Sequence, residues 1–274
     1  MDRITAVSAG DLAVNNLIVF DCRAKLGDPA WGLAAFESGH IPGAAHLDLD
    51  RHLAAAPGAG GRHPLPDRES LTRELRTLGL HSHSQVVLYD DAGGAFAARA
   101  WWCLRWLGHR QVALVDGGLS AYVGASQALL ETGPAQPRAA GDFQASAPLT
   151  KTVDVAQVLL ASRGTATDVA LLDARAQARF DGLEEPIDAV AGHIPGAKCH
   201  PFTENLSADG TFKPAEQLRA AFGQLPAEVI CYCGSGVTAA HNVLALVHAG
   251  WAEPALYAGS WSHWILDPER PRSP

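Results

Sequence analysis

The sequence predicts an α/β protein of two tandem domains, each a mostly parallel sheet flanked by helices. The motif GHIPGA occurs twice, at 39–44 and at 192–197. A longer stretch, Asp91–Gly118, aligns without a gap onto Cys233–Ser260. Within each copy, short apolar runs alternate with helical patterns, which indicates buried parallel strands joined by helices.

The apolar runs predict three strands in each copy. In chain order they are IVF (18–20), VVLY (86–89) and ALV (113–115), then VALLD (169–173), EVICY (228–232) and ALY (255–257). The middle run of each copy leads into a helical pattern that ends near Gly108 or Gly250, and glycine is a common end signal of helices. We place the domains at 1–135 and 150–274, with an Ala-, Gly- and Pro-rich linker region over 124–150.

Composition limits the classes of function. The 274 residues are 47% hydrophobic and can bury one large core or two smaller ones. No apolar run approaches the roughly 18 residues of a membrane helix, and MDRITAVSAGDL lacks the features of a signal peptide, so we expect a cytoplasmic protein without a membrane partner. A net charge of -8 argues against nucleic acid as a partner. Five cysteines, an odd number, are expected to be thiols rather than disulfides.

The stretch at 231–239, CYCGSGVTA, carries the strongest chemical signal. It follows an apolar run and precedes a helical pattern, so Cys233 is expected at the carboxyl end of a strand and the amino end of a helix. At such a place the N–H groups of a glycine-rich turn converge and the helix dipole presents positive charge, and both favour a thiolate. We therefore predict that Cys233 is a nucleophile.

The neighbours of this cysteine fit that role. Gly234 and Gly236 keep open backbone conformations that side chains would close. Ser235 adds a hydroxyl that can donate to a developing negative charge, although serine is also an ordinary turn residue. In the first copy the aligned position holds Asp91, which cannot act as a sulfur nucleophile. Only the second copy is therefore expected to be catalytic.

Two other ligand sites fit this region in part. Gly234, Gly236 and Ala239 match a dinucleotide fingerprint, but Ala258 stands where the ribose-binding acidic residue belongs. The residues available for a zinc site lack the usual paired spacing. They are Cys231, Cys233, His200 and His241. We therefore expect neither a cofactor nor a metal.

In these residues the chain resembles the tandem rhodanese-domain sulfurtransferases. The resemblance covers nearly the whole chain and rests on paired D-x-R and GHIPGA motifs, RAWWCLRWLG, VDGG, YAGSW and the nucleophile loop. It implies two rhodanese-like domains, a non-catalytic first one and a second one that carries Cys233. It also implies that Arg23 and Arg175, in the D-x-R motifs, are ion-pair partners of the neighbouring aspartates.

The residues after the cysteine bear on the sulfur donor. Thiosulfate sulfurtransferases typically carry Arg-Lys there, whereas 3-mercaptopyruvate sulfurtransferases carry Gly-Ser or Gly-Thr, and this chain has Gly234-Ser235. The resemblance thus implies 3-mercaptopyruvate as donor, a Cys233 persulfide, release of pyruvate, and a thiol, a thioredoxin-like protein or cyanide as acceptor. A thiosulfate:cyanide sulfurtransferase and a non-catalytic sulfur-carrier or binding module stay open as alternatives. A cysteine phosphatase is disfavoured because Ala239 occupies the position of its phosphate-binding arginine.

The resemblance also implies residues that assist the cysteine. A serine–histidine–aspartate relay proposed for the family maps onto Ser235, His40 and Asp28. A histidine is suited to moving a proton near neutral pH. The alternative is that His40 only holds the GHIPGA turn, because His193 occurs at the same place in the second copy.

Substrate binding follows the family only in part. Arg179 matches one of the family's two substrate arginines, but Ile187 stands in the position of the other, after Glu-Pro. Arg62, in GGRHPLP, is the candidate replacement. Ala258, in YAGSW, replaces an aspartate usual in the mercaptopyruvate group. The loop residues expected to line the donor site are Gly234, Gly236, Val237 and Thr238.

Overall fold

A computed structural model describes residues 6–7, 17–126, 129–164 and 168–274. The chain divides into two compact units. The first comprises 1–55, 66–149 and 208–212, and the second comprises 56–65, 150–207 and 213–274. The segment 56–65 therefore belongs to the second unit, although it precedes most of the first in sequence. The stretch used to argue against a signal peptide lies mostly outside the described residues, as do 127–128 of the predicted linker.

The first unit is built on a five-stranded sheet with the order β1-β5-β4-β2-β3. All its strand pairs are parallel. The strands are β1 (Ala6–Val7), β2 (Leu17–Asp21), β3 (Ala45–His46), β4 (Gln85–Tyr89) and β5 (Val112–Val115). The helices are α1 (Trp31–Ser38), α2 (Arg68–Thr77), α3 (Ala95–Trp106) and α4 (Gly118–Ser126).

The second unit repeats this architecture with the order β6-β10-β9-β7-β8, again in parallel pairs. The strands are β6 (Lys151–Thr152), β7 (Val169–Asp173), β8 (Lys198–Cys199), β9 (Glu228–Tyr232) and β10 (Ala255–Leu256). The helices are α5 (Val155–Ser162), α6 (Gln177–Phe180), α7 (Ala215–Phe222), α8 (Thr238–His248) and α9 (Ser260–Trp264). The two-domain parallel α/β prediction is confirmed.

Local signals account for these elements. Strands β4 and β9 are buried over four of their five residues, which matches their apolar runs. Helices α3 and α8 end two residues before Gly108 and Gly250. Both glycines have positive φ, 89° and 94°, a conformation that stops a helix and that glycine adopts without a Cβ clash. Among the helices of the described residues, none has the length and hydrophobicity to span a bilayer.

The repeated motifs hold each sheet to its neighbouring turn. In the first unit, Arg23 forms an ion pair with Asp21 at 2.6 Å and donates to the carbonyl of Gly39, the first residue of GHIPGA, at 2.7 Å. The second unit repeats both contacts at 2.7 Å, between Arg175, Asp173 and the carbonyl of Gly192. The D-x-R and GHIPGA motifs recur together because the arginine of the first donates a hydrogen bond to a backbone carbonyl of the second.

Candidate active site

The nucleophile loop runs from the end of β9 to the start of α8. Cys233 is 2% exposed, and its Sγ accepts a hydrogen bond from the backbone N–H of Gly236 at 3.1 Å. The start of α9 holds the loop in place, because the amides of Trp261 and Ser262 donate to the carbonyls of Cys233 and Gly234. An N–H aimed at the sulfur stabilises negative charge on it.

Ser260 fixes the backbone of Cys233, the predicted nucleophile. Its hydroxyl accepts from the Cys233 amide at 3.1 Å and donates to the carbonyl of Tyr257 at 2.9 Å. Among the described residues it is the one non-glycine with positive φ, at 54°. A serine in the left-handed region is held there by its surroundings, so the strained backbone belongs to a residue that contacts Cys233.

Gly236 is required by a close backbone contact, whereas Gly234 leaves room for charged side chains. Gly236 has φ of 79°, and a Cβ there would lie 2.3 Å from the carbonyl oxygen of Ala258. A Cβ on Gly234 would lie 2.9 Å from Nη2 of Arg62 and 3.5 Å from Nη2 of Arg179. Two guanidinium groups therefore approach the backbone directly beside Cys233, and a side chain at position 234 would displace that of Arg62.

The hydroxyl of Ser235 is paired with a histidine that we did not predict. Nδ1 of His63 lies 2.7 Å from Ser235 Oγ, and both residues are buried. His63 reaches this place because 56–65 packs into the second unit. Gly61 allows the close packing, since a Cβ there would lie 2.8 Å from Ser262 Oγ, which also accepts from the Arg62 amide at 3.0 Å. In sequence, only the glycine pair before Arg62-His63 stands out in this segment, and it does not indicate where the segment packs.

His40 and Asp28 lie in the first unit. The His40 ring stacks on Phe36 at 3.8 Å, and its Nδ1 lies 2.8 Å from the Phe36 carbonyl oxygen. His193 repeats this arrangement on Phe180, at 3.7 Å and 2.8 Å. The repeated contact shows that both GHIPGA histidines hold their turns, whereas catalysis by His40 stays a prediction. Asp28 is partly exposed, with Lys25 at 3.9 Å, and its role also stays a prediction.

Arg62 and Arg179 belong to a row of ion pairs with alternating charge. Arg179 bonds Glu185 at 2.7 Å and Asp188 at 3.0 Å, and Arg62 forms a short ion pair with the same Asp188. Glu185 also lies 3.4 Å from Arg175 of the D-x-R motif. Burial opposes ionisation of Glu185, but hydrogen bonds from the Asp188 amide, the Arg179 guanidinium and the Ile187 amide lower the pKa of this carboxyl overall.

The remaining loop residues lead into α8. Val237 is buried at the helix start, and its carbonyl accepts from the Ala240 amide at 3.1 Å. Thr238 is the first helical residue and is partly exposed. The predicted residues Gly234, Ser235, Gly236, Arg62 and Arg179 are thus brought together around Cys233 within one unit.

The other cysteines are poor candidates for a nucleophile. Burial raises the pKa of the Cys22, Cys103 and Cys231 thiols, and it raises the pKa of Cys199 to about 12. Thiols in such surroundings stay protonated near neutral pH. Within the described part of the chain, no group of His, Cys, Asp or Glu side chains has an arrangement that could hold a metal ion.

Comparison with known proteins identifies the fold. A family model for the rhodanese-like domain matches residues 8–125 and 155–267. A probable 3-mercaptopyruvate sulfurtransferase of Pseudomonas aeruginosa is 52% identical over 273 residues, which cover 96% of this chain and 94% of that protein. A putative thiosulfate sulfurtransferase of Mycobacterium tuberculosis is 41% identical over 276 residues, covering 97% and 92%. The crystal structure of a 3-mercaptopyruvate sulfotransferase of Escherichia coli superposes with a TM-score of 0.81 at 33% identity, covering 93% of this chain and 98% of that one.

These similarities confirm the family and the fold that the motifs predicted. The relatives are named sulfurtransferases, which fits the prediction of an enzyme of that type, and the match of highest identity among them is named for 3-mercaptopyruvate rather than thiosulfate. The chain belongs to the rhodanese-like domain family, and it carries two copies of that domain.

Proposed function

We propose that the protein is a sulfurtransferase that takes a sulfur atom from 3-mercaptopyruvate onto Cys233 and passes it to a thiol, a thioredoxin-like protein or cyanide. The observation that carries this proposal is the Gly236 amide 3.1 Å from the Cys233 sulfur, in a loop beside two guanidinium groups. A sulfur that receives an amide N–H can carry negative charge, both as a thiolate and as a persulfide.

The reaction proceeds in two steps. The Cys233 thiolate attacks the sulfur of 3-mercaptopyruvate, so that an S–S bond forms as the donor's C–S bond breaks. The electron pair of that C–S bond passes to the enolate of pyruvate, which takes up a proton at carbon and leaves. The acceptor's nucleophile then attacks the outer sulfur of the persulfide, and the electron pair of the S–S bond returns to Cys233. This is covalent catalysis with a ping-pong order.

Ser235 and His63 are the groups that we propose for proton handling. Their 2.7 Å contact places a hydroxyl next to the nucleophile with a histidine behind it. The hydroxyl is suited to donate to the donor's carbonyl oxygen as the enolate charge develops, and the histidine is suited to exchange a proton near neutral pH. His63 replaces His40 as our candidate histidine, because it contacts Ser235 directly.

Arg62 and Arg179 are our proposed carboxylate-binding pair. A guanidinium binds both oxygens of a carboxylate, and the two groups lie 2.9 Å and 3.5 Å from the place of a Gly234 Cβ. The family's second substrate arginine is replaced by Ile187 in this chain, and Arg62 supplies the positive charge in its place. The donor's carboxylate would then bind beside the loop while its sulfur faces Cys233.

The main alternative is a thiosulfate:cyanide sulfurtransferase. The relative in Mycobacterium tuberculosis that is named a putative thiosulfate sulfurtransferase favours it. The uncharged pair Gly234-Ser235, which follows the cysteine in sequence, favours 3-mercaptopyruvate. Both reactions pass through the same persulfide. A cytoplasmic location stays a prediction.

The test begins with the isolated protein and each donor in turn. Incubation with 3-mercaptopyruvate should add about 32 Da, one sulfur atom, to the peptide containing Cys233, with one equivalent of pyruvate released. No mass gain with any donor would contradict the enzyme and favour a binding module. The ratio of kcat/KM for the two donors then assigns the substrate, and a preference for thiosulfate of about 100-fold would overturn the mercaptopyruvate assignment while leaving the persulfide in place.

A further inference from the structure

Asp188 occupies the space between the two arginines of the proposed donor site. Its Oδ2 lies 3.0 Å from Nη2 of Arg179 and 3.4 Å from Nη2 of Arg62, and its Oδ1 forms a short ion pair with Nη1 of Arg62. The Asp188 side chain is 3% exposed. The two guanidinium groups stabilise this enclosed carboxylate, because a buried charge without an opposite partner is strongly unfavourable.

The same carboxylate lies against the nucleophile loop. Its Oδ2 would be 3.5 Å from a Cβ on Gly234, as close as Nη2 of Arg179. An anion that binds these guanidinium groups beside Cys233 therefore shares them with Asp188. The residue after Ile187 is thus a built-in counter-ion of the proposed donor site.

Asp188 also sets the charge of the site. The row of paired side chains contains three guanidinium groups and three carboxylates, so its formal charge is zero. Its members are Asp173, Arg175, Glu185, Arg179, Asp188 and Arg62. Because the attraction of an anion scales with its charge, a neutral site gives a dianion little advantage over a monoanion.

We propose that Asp188 is a donor-selectivity residue, which holds Arg62 and Arg179 in place and neutralises the positive charge that a dianionic donor requires. The inference rests on the proposed sulfurtransferase function and adds the reason for its donor preference. It assigns the selection of singly charged 3-mercaptopyruvate over doubly charged thiosulfate to a residue that bonds both arginines. Replacement of this carboxylate by a neutral amide should leave the site with one net positive charge.

The test is Asp188→Asn, which keeps the side chain's size and one of its acceptor oxygens. We expect kcat/KM for thiosulfate to rise about tenfold or more, and that for 3-mercaptopyruvate by less than about threefold, because the dianion gains more from the added positive charge. The matched control is Asp181→Asn, since Asp181 is exposed, carries the same charge and bonds Gln177 rather than an arginine. An unchanged donor ratio, or an equal fall for both donors, would overturn the proposal.

A binding measurement separates this inference from the sulfurtransferase proposal. Calorimetric titration of sulfate and pyruvate into Cys233→Ala, with and without Asp188→Asn, involves no turnover. The inference requires sulfate affinity to rise more than pyruvate affinity when Asp188 is replaced. Equal changes would overturn it even in a protein that forms the persulfide, whereas a failure to form the persulfide with any donor would contradict the function and leave this result standing.

The unsubstituted protein gives an independent check that does not depend on the folding of a variant. In a protein whose active-site charge is neutralised by Asp188, pyruvate should compete with the donor at least as well as sulfate does. Inhibition constants for the two anions, measured in the same buffer, test this. Sulfate inhibition about tenfold stronger than pyruvate inhibition would overturn the inference.

Discussion

The two units place different residues at the same point of one loop. Tyr89, the last residue of β4, pairs with Asp21 of β2, and Tyr232, the last residue of β9, pairs with Asp173 of β7. The residues that follow these two tyrosines, Asp90 and Cys233, are therefore equivalent. Sequence alignment instead set Asp91 against Cys233. The sheet register corrects that correspondence, and the first loop is longer by one residue.

The side chains at this point show what the loop is built to hold. Asp90 is 1% exposed, and its carboxylate accepts four backbone N–H groups at 2.8–2.9 Å, from Ala92, Gly94, Phe96 and Ala97. Burial raises the pKa of Asp90, and these hydrogen bonds oppose the rise. In the second unit the N–H of Gly236, the counterpart of Gly94, donates to the Cys233 sulfur. The loop is therefore a cradle of backbone N–H groups in both units, and it holds a carboxylate in one and the Cys233 sulfur in the other.

The largest expected effect comes from giving the second loop the residue of the first. We expect Cys233→Asp to lower sulfur transfer at least about 1000-fold with either donor, because a carboxylate cannot form the persulfide. Steady-state rates with 3-mercaptopyruvate and thiosulfate measure it. The protein should stay folded, since the first loop already holds an aspartate at this point.

Cys233→Ser is the control that leaves the cradle uncharged. It should be equally inactive, because the hydroxyl cannot accept a sulfur atom from the donor. Turnover by either variant at the wild-type rate would show that sulfur transfer does not pass through this residue, and the difference between the two loops would then carry no function.

The next effect concerns the Ser235–His63 pair of the catalytic loop. We expect His63→Gln and Ser235→Ala each to lower kcat about 100-fold with a smaller change in KM, because the proton path is lost while the arginines remain. His40→Gln is the matched variant of the other candidate histidine. A larger loss of kcat in His40→Gln than in His63→Gln would favour the Ser235–His40–Asp28 relay.

The fold could be predicted because its signals are local. Apolar runs marked three strands of each unit within a residue or two, as at β7 and β9, and the glycines at 108 and 250 marked helix ends. The two-residue strands β1, β3, β6 and β8 were not predicted, because a strand of two residues has no apolar run to mark it. The loop around Cys233 was likewise predictable, since its glycines and its place between a strand and a helix occur within nine residues. These features depend on neighbours along the chain.

What could not be predicted depends on contacts distant in sequence. His63 reaches Ser235 across 172 positions, and Arg62 reaches Asp188 across 126. Nothing in the composition of 56–65 indicates that it packs with the second unit. The loop register was missed because the first loop begins with two aspartates, so that alignment by residue type cannot tell Asp90 from Asp91.

A smaller effect should follow from weakening the filled cradle of the first unit. We expect Asp90→Asn to lower the free energy of unfolding by about 1–3 kcal/mol, because the amide replaces one acceptor oxygen with a donor that faces N–H groups. Urea or thermal unfolding measures the change. A loss below about 0.5 kcal/mol would contradict the role of Asp90 as the internal anion of this loop.

The smallest effect should come from Asp91→Asn. This variant tests whether Asp90 or its neighbour Asp91 is the counterpart of Cys233. Partial desolvation by neighbouring atoms and the negative charge of Asp90 raise the pKa of the Asp91 carboxyl, so the folded state binds a proton there more readily than the unfolded state does. Stability is therefore favoured at low pH and lost as the pH rises through the raised value. Because Asp91 is exposed to solvent, Asp91→Asn should stabilise the protein by less than about 0.5 kcal/mol at neutral pH, and not at all below pH of about 3.

Unfolding measured at both pH values tests this, and a destabilisation as large as that of Asp90→Asn would return Asp91 to the position opposite Cys233.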